Sequence, residues 1–476
     1  MPCVAPVDCQ VSMGGEAQCI QNQCVPLKDE LAGCNMLTEG VADERSILLG
    51  VFYTTPSVRP TGIAAGNYIE FMTQTLASTW NNSPSQGNLN GRRMAAVLCD
   101  ESKDPVRAVR HMQRLGVSAI LGPLDPIGSH MAAAAALEQG TPYLTPYDQS
   151  SNLSSGARAC APIRADLAFG TASALQDIFA SVSAARGRAA EVMLVSTNLP
   201  SDDELRKSLV PKISAGAPTS TVAHVSEFAF DIDLNEPLSE KGKLIARANP
   251  RPDVIVLNAE YSHYNLINQI ETNWLGPTLP VYVLIGQGSA ATNYEAGQRR
   301  SGGAPAKTLD DRTYVINWAP RPSAEALETR GYVDQLLESA KASPGLSLEP
   351  SDFAYFLNDC LYTATFASAA AVARGVEPKD VRSDTFNAGI DLISCRTADC
   401  PRISMGGPSL NAKSLLAMRV PFAGVGTHGT MQWNADGRRV SPTMLELRCM
   451  KNGNWVSNTR SYRAATGESI GAFECP

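Results

Sequence analysis

The sequence predicts an α/β protein built from two doubly wound units, each a parallel sheet with helices on both faces, and a small disulfide-rich segment in front of them. Three observations lead there. Short, continuous apolar runs alternate with segments of helical period, as expected for parallel strands joined by crossover helices. The alternation runs once over residues 46–145 and again over residues 167–285. Five of the twelve cysteines fall within the first 34 residues, where no long apolar periodicity occurs.

In the first unit, Ile47-Leu48-Leu49-Gly50-Val51-Phe52 is an unbroken apolar run of strand length, the pattern of a strand buried on both faces. Ala65, Ile69, Met72, Leu76 and Trp80 then mark one face of a helix. Met94–Cys99 is the next strand, and Asp104-Pro105 caps a helix reaching Leu115. Ala119-Ile120-Leu121, a helix over Ile127–Gln139 and a short strand Pro142–Leu144 complete the set. The second unit repeats the pattern. Helices are expected over 167–181, 202–213, 236–248 and 262–274, and strands over 191–196, 224–228, 253–258 and 281–285. A strand at 314–317 and helices over 324–340 and 351–374 follow. In the tail, Thr430–Trp433 and Met444–Met450 flank Asp436-Gly437, which reads as a hairpin turn.

Composition excludes several classes. The chain has 476 residues, enough for two large domains, and its 44% hydrophobic content with a net charge of −7 argues against disorder. The acidic balance and the lack of a Lys/Arg run argue against a nucleic-acid partner. Apolar stretches such as Met131–Leu137 and Ala367–Ala373 fall short of the ~18 residues of a membrane span.

Cys3, Cys9, Cys19 and Cys24 are expected to pair among themselves, in one of three connectivities, with Cys34 left to bridge to the main body. A zinc module is the alternative, but no C-x-x-C occurs and the first histidine is His111. The Cys395–Cys400 spacing suits a local disulfide, and Cys449 with Cys475 would tie the tail. Cys99, Cys160, Cys34 and Cys360 remain for longer bridges that sequence does not pair. Disulfides imply an oxidising compartment, so a periplasmic or cell-surface protein is expected, its export signal removed and a lipid anchor compatible with that route.

The segment order resembles a known family. Asn90-Gly91-Arg92-Arg93, a strand, Cys99-Asp100-Glu101-Ser102-Lys103-Asp104-Pro105, then Gly116-Val117 and Ile120-Leu121-Gly122-Pro123, is similar to the type I periplasmic binding proteins, in particular their Leu/Ile/Val-binding branch. Tyr143-Leu144-Thr145-Pro146 and the late Phe422–Thr427 and Gly429–Gly437 segments resemble later motifs of that family. The resemblance implies two Rossmann-like lobes joined by a three-strand hinge that closes on a ligand. Mapped here, residues 1–41 form the Cys-rich segment, 42–161 with 289–424 lobe 1, and 162–288 with 425–476 lobe 2.

In open α/β sheets, ligands sit beyond the carboxyl ends of the strands, beside helix N-termini. The residues placed there are Tyr53, then Asp125 and Ser129, then Tyr147, Asp148 and Gln149, and from lobe 2 Glu260, Tyr261, Tyr264 and Gln287. In amino-acid-binding relatives, hydroxyls and backbone amides of lobe 1 hold the ligand carboxylate, and acidic and Tyr side chains of lobe 2 hold the ammonium. This chain departs from that pattern with Asp125-Pro126, Tyr147-Asp148 and Asn198-Leu199-Pro200. Asp125, Asp148 and Glu260 around one cleft would favour a cationic, amide-bearing or polyhydroxylated ligand. Simpler roles stand beside these: Asp125 as the N-cap before Pro126, Asp148 as a turn residue, and Tyr261 and Tyr264 as covers of the core.

Gly286-Gln287-Gly288-Ser289-Ala290-Ala291 has the form of a dinucleotide fingerprint, but no strand ending in an acidic residue follows, so no cofactor is expected. No G-x-S-x-G, H-E-x-x-H or P-loop occurs, and no metal or catalytic residue is expected. The expected function is an exported, monomeric, non-catalytic solute-binding protein. It would take a small polar solute, with an amino-acid-like molecule included, to the membrane permease of an ABC importer. The alternative is an extracytoplasmic sensor or cell-surface interaction module on the same fold.

Overall fold

A computed structural model of the chain describes residues 3, 8–9, 17–20, 22–38, 45–53, 62–83, 89, 91–123, 126–146, 150, 154–161, 165–216, 221–231, 238–258, 263–286, 309–317, 324–340, 352–407, 410–434, 437–440 and 444–474. In chain order the strands begin with β1 (Ala17–Ile20), β2 (Gln23–Pro26), β3 (Cys34–Leu37), β4 (Ile47–Tyr53), β5 (Met94–Asp100), β6 (Ala119–Leu121), β7 (Tyr143–Thr145) and β8 (Arg158–Ala159). Among them lie helices α1 (Gly62–Asn82), α2 (Pro105–Arg114) and α3 (Pro126–Glu138). Next come α4 (Ala168–Arg186), β9 (Ala190–Thr197), α5 (Pro200–Gly216), β10 (Val222–Phe230), α6 (Leu238–Ala246), β11 (Val254–Asn258), α7 (His263–Asn273), β12 (Val281–Gly286) and β13 (Thr313–Asn317). The rest comprises α8 (Ala324–Ala340), α9 (Asp352–Ala373), α10 (Ser383–Ile393), β14 (Arg402–Ser404), α11 (Leu410–Met418), β15 (Ala423–Gly426), β16 (Gly429–Thr430), β17 (Met444–Lys451), β18 (Asn454–Arg463) and β19 (Ser469–Ile470).

The chain divides into two compact units. The first comprises Met1–Asp148, Asn152–Ala161 and Pro322–Val440, and the second Gln149–Ser151, Pro162–Arg321 and Ser441–Pro476. The first unit's main sheet has the order β3-β5-β4-β6-β7-β8, parallel except for β3. The second unit's sheet runs β10-β9-β11-β12-β13-β17-β18-β19, parallel through β13 and antiparallel beyond. In both, the first parallel strand lies between the second and the third, the doubly wound order in which successive crossovers leave on opposite faces.

Each sheet is packed on both faces. In the first unit, Ile47, Leu49 and Val51 of β4 join one buried cluster, and Leu48 and Phe52 the other. The first cluster includes Ile69, Met72, Leu76 and Trp80 of α1, the stripe expected from their spacing. Helix α9 is sunk in it, with Leu357, Leu361 and Phe366 at most 1% exposed. In the second unit, Val192 and Leu194 of β9 face one cluster, and Met193 and Val195 the other. At about 1.5–3 kcal/mol per fully buried large apolar side chain, these double-sided layers are the main source of stability. Asp104 accepts hydrogen bonds from the Val106 and Arg107 amides at the start of α2, as its sequence position predicts. No described helix is long and apolar enough to cross a membrane.

Several expectations change. The second boundary falls at 321/322 rather than 288/289, because β13 pairs with β12 from Tyr282↔Thr313 to Gly286↔Asn317 and so extends the second sheet. The third falls at 440/441 rather than 424/425, because β15 pairs with β14 and β16 within the first unit. The Cys-rich segment clusters with the first unit, and β3 joins its sheet edge with Cys34 opposite Cys99. Met444–Lys451 does not pair with Thr430–Trp433. It forms a hairpin with β18 through Asn452-Gly453, both at positive φ, while Gly437, at φ +76°, lies between the bridged residues Trp433 and Arg439, and Asp436 lies outside the described residues. Helices α10 and α11 and strand β14 had no counterpart in the sequence reading.

The four leading cysteines pair among themselves, Cys3–Cys19 and Cys9–Cys24. Zinc ligation needs thiolates, and these sulfurs are consumed in S–S bonds. The longer bridges are Cys34–Cys99 and Cys160–Cys360, and Cys395–Cys400 closes a local loop. Cys449 is also in a disulfide, while Cys475, its expected partner, lies outside the described residues.

Candidate functional site

In a doubly wound sheet, the crevice for a ligand opens where the strand order reverses, at the carboxyl ends of the first and third parallel strands. In the first unit those strands are β4 and β6. Tyr53 ends β4, half-buried, and pairs in register with Asp100 at the end of β5. Burial raises the Tyr53 phenol above its ordinary pKa, and the Asp100 and Glu70 charges add to that, so it stays protonated and able to donate. Gly122 follows β6. A Cβ there would lie 1.8 Å from the Tyr143 hydroxyl, so a side chain at this point would expel the ring.

That ring decides the fate of Ser129. The Tyr143 hydroxyl donates to the Ser129 carbonyl at 3.0 Å and lies 2.8 Å from Ser129 Oγ, and Ser129 is fully buried. Its hydroxyl ties α3 to β7 inside the core. Ser129, expected to bind ligand, is instead turned inward in α3 with its hydroxyl against Tyr143. Asp125, immediately before α3, and Tyr147, Asp148 and Gln149 after β7 lie outside the described residues.

In the second unit the reversal is at β9 and β11. Two polar residues, Ser196 and Thr197, end β9, and Asn258 ends β11 directly opposite Ser196. All three are buried, at 2% exposure or less. The Thr197 hydroxyl donates to the Asp202 carboxylate in the first turn of α5, and Asn258 Nδ2 donates to the Asp202 carbonyl at 3.3 Å. Ser196 Oγ is buried and forms no hydrogen bond among the described residues. Leaving a hydroxyl unsatisfied in the interior costs about 1–3 kcal/mol, which singles out this strand end. The sequence reading missed Ser196, Thr197 and Asp202. The available signal was the switch from Val192–Val195 to Ser-Thr-Asn at the end of an apolar strand. Glu260, Tyr261 and Gln287 lie outside the described residues, and Tyr264 is described only as part of the backbone of α7.

Of the ten expected ligand residues, Tyr53 and Ser129 have described side chains: Tyr53 ends β4, and the Ser129 hydroxyl is turned to Tyr143. The described cysteines are all in disulfides, so none offers a thiolate nucleophile. The strand ends present hydroxyls, an amide and a phenol, groups suited to binding a polar molecule by hydrogen bonds.

Two doubly wound units, between which the chain crosses at 161/162, 321/322 and 440/441 besides the short excursion Gln149–Ser151, give this chain the type I periplasmic binding protein fold. Among solved structures it is similar to the branched-chain amino acid transporter substrate-binding protein LivJ of Streptococcus pneumoniae in complex with isoleucine. The match has a TM-score of 0.55 at 15% identity and covers 87% of this chain and 99% of that one. It is also similar to the leucine-binding protein LivK of Thermotoga maritima, with a TM-score of 0.55 at 14% identity over 87% and 97% of the two chains. A third is a solute-binding protein of an ABC transporter from Rhodopseudomonas palustris BisB5 in complex with 3,4-dihydroxybenzoic acid, with a TM-score of 0.56 at 11% identity over 91% and 99%. No family model matches the chain, and no curated protein matches it.

Proposed function

We propose that this protein is a non-catalytic extracytoplasmic receptor that captures a small polar solute and delivers it to the membrane permease of an ABC-type importer. The observation that carries the reading is the reversal of strand order in each unit, with polar groups at the carboxyl ends of the strands beside it: Tyr53 in one unit, and Ser196 with Asn258 in the other. The fold likeness supports it, and the disulfides support an oxidising compartment. Asp125, Asp148 and Glu260, with Tyr147, Gln149, Tyr261, Tyr264 and Gln287, are the proposed ligand-facing residues of the adjoining loops. Three carboxylates there favour a cationic, amide-bearing or polyhydroxylated solute over a simple branched-chain amino acid.

The test is a thermal-shift screen of amino acids, polyamines, amides and sugars against protein first unfolded and refolded to strip any carried ligand. A solute at about 1,000 times its Kd stabilises the folded state by about 4 kcal/mol, a shift of several degrees. Failure of every class to shift the transition would remove the solute-capture reading. The sensor or surface-module reading draws on one observation, the doubly disulfide-linked hairpin β1–β2 at the start of the first unit, and would then take its place.

A further inference from the structure

Two adjacent residues of α9 hold two separate exits of the chain from the first unit. Cys360 is bonded to Cys160, one residue before the boundary at Ala161, across a sequence separation of 200. Asp359 accepts a hydrogen bond at 3.0 Å from Arg439 Nη1, one residue before the boundary at Val440. The two exit segments are also stitched to each other. Arg439 Nη1 donates to the Cys160 carbonyl at 2.8 Å, the Ala159 amide donates to the Gly437 carbonyl at 3.2 Å, and Trp433 Nε1 donates to the Ala159 carbonyl at 2.9 Å. Cys160, Cys360 and Asp359 are fully buried and Arg439 is 4% exposed.

The surroundings are shaped around this knot. The second Asp359 oxygen receives the Thr427 amide at 2.8 Å. A Cβ at Gly426 would lie 2.4 Å from that carboxylate, and one at Gly437 would lie 2.5 Å from the Ala157 carbonyl in a backbone already at φ +76°. A buried ion pair is a weak source of stability, since apolar replacements of similar shape often do as well. What this pair supplies is geometry, because it fixes which segment lies against which.

We propose that Asp359 and Cys360 form a clamp that makes the exits of the chain at Ala161 and Val440 a single rigid piece of the first unit, so that they loosen together or not at all. Its use rests on the solute-capture reading: a receptor that closes on its ligand needs its bending confined, and the clamp keeps that bending out of the segments that end at Ala161 and Val440.

Hydrogen–deuterium exchange on the ligand-free full chain tests the clamp. Peptides spanning 157–161 and 437–440 are compared in the native protein, in the Cys160→Ser/Cys360→Ser double variant and in Asp359→Asn, which keeps the carboxylate's shape without its charge. The clamp predicts at least a tenfold rise in exchange at both segments in each variant, including the 157–161 segment of Asp359→Asn, whose disulfide is intact. A rise confined to the segment whose own anchor was removed would overturn the proposal, as would no rise at either segment. If the double cysteine variant does not fold, Asp359→Asn decides alone, with unchanged exchange in β9 reporting that the second unit is intact. Because no ligand is added, a failed solute screen leaves this result standing, and a failed clamp leaves the solute reading standing.

Discussion

The two units use different means to hold similar sheets. The first unit contains Cys3–Cys19, Cys9–Cys24, Cys34–Cys99, Cys160–Cys360 and Cys395–Cys400. In the second, where Cys449 is the described disulfide-bonded cysteine, further long-range ties between elements run through carboxylates. Glu271 of α7 is gripped by both Arg312 nitrogens, at 3.1 and 2.8 Å, and accepts the Tyr282 hydroxyl at 2.6 Å. Asp177 of α4 takes Arg460 at 2.7 Å and the Tyr462 hydroxyl at 2.8 Å from β18. Asp253, just before β11, takes Arg188 at 2.8 Å and the Glu191 amide at 2.9 Å. A disulfide acts mainly by restricting the unfolded chain and does not depend on salt, whereas a carboxylate hub acts in the folded state and weakens with its charges. The first unit should therefore be the more sensitive to loss of its cysteines, and the second to loss of charge.

After Cys160–Cys360, whose separation is 200, the largest break in that contrast comes from Cys34→Ala/Cys99→Ala, which opens a loop with a sequence separation of 65. Loop entropy puts the loss at about 4 kcal/mol. Denaturant unfolding read by pulse exchange should show β4 losing protection earlier while β9 keeps its midpoint. Next is Arg312→Met in the second unit. It strips the bidentate partner from a Glu271 side chain that is 21% exposed, at a cost of roughly 2–3 kcal/mol. Here β9 should weaken while β4 does not.

An acid scan gives a smaller effect, and it falls in the first unit. His111 of α2 is buried, with Nε2 3.1 Å from the Leu27 carbonyl, Nδ1 3.3 Å from Arg114 Nη2, and the Asp29 carboxylate 3.8 Å away. Burial holds the imidazole below its ordinary pKa, outweighing the Leu27 hydrogen bond and the pull of Asp29, and Arg114 and Arg107 act in the same direction as burial. The folded state thus binds this proton less readily than the unfolded chain. Its contribution is whole at neutral pH and declines as pH falls below about 6.5. His111→Gln, which keeps a donor for Leu27, should flatten the pH dependence of β4 protection, and an unchanged slope would contradict this assignment. The smallest effect is expected for Arg206→Gln. Its partners Asp203 and Glu227 are partly exposed, and the loss should stay below about 1 kcal/mol and fade at high salt.

What could be read from the sequence was what burial imposes locally. Strands β4, β5, β9, β11 and β12 are covered on both faces, so their apolar runs are uninterrupted, and α1 shows its core stripe because only one side of it is covered. Even the end of β9 carried a signal in its polar residues. β3 and β14, three or four residues long, are too short for a period to appear, and they exist because a neighbouring edge accepts them.

The amino-acid order alone determined the class of the fold and the succession of strands and helices, and its turns only in part, since Asn452-Gly453 closes the long hairpin of β17 and β18. Tertiary structure decided the rest: the reversal of strand order in each sheet, the join between Cys160 and Cys360, and the turning of the Ser129 hydroxyl toward Tyr143. The reason is range. Periodicity records which side of a segment is dry, a property of a few neighbouring residues, while strand order and side-chain pairing are set by which distant segments the closed chain brings together.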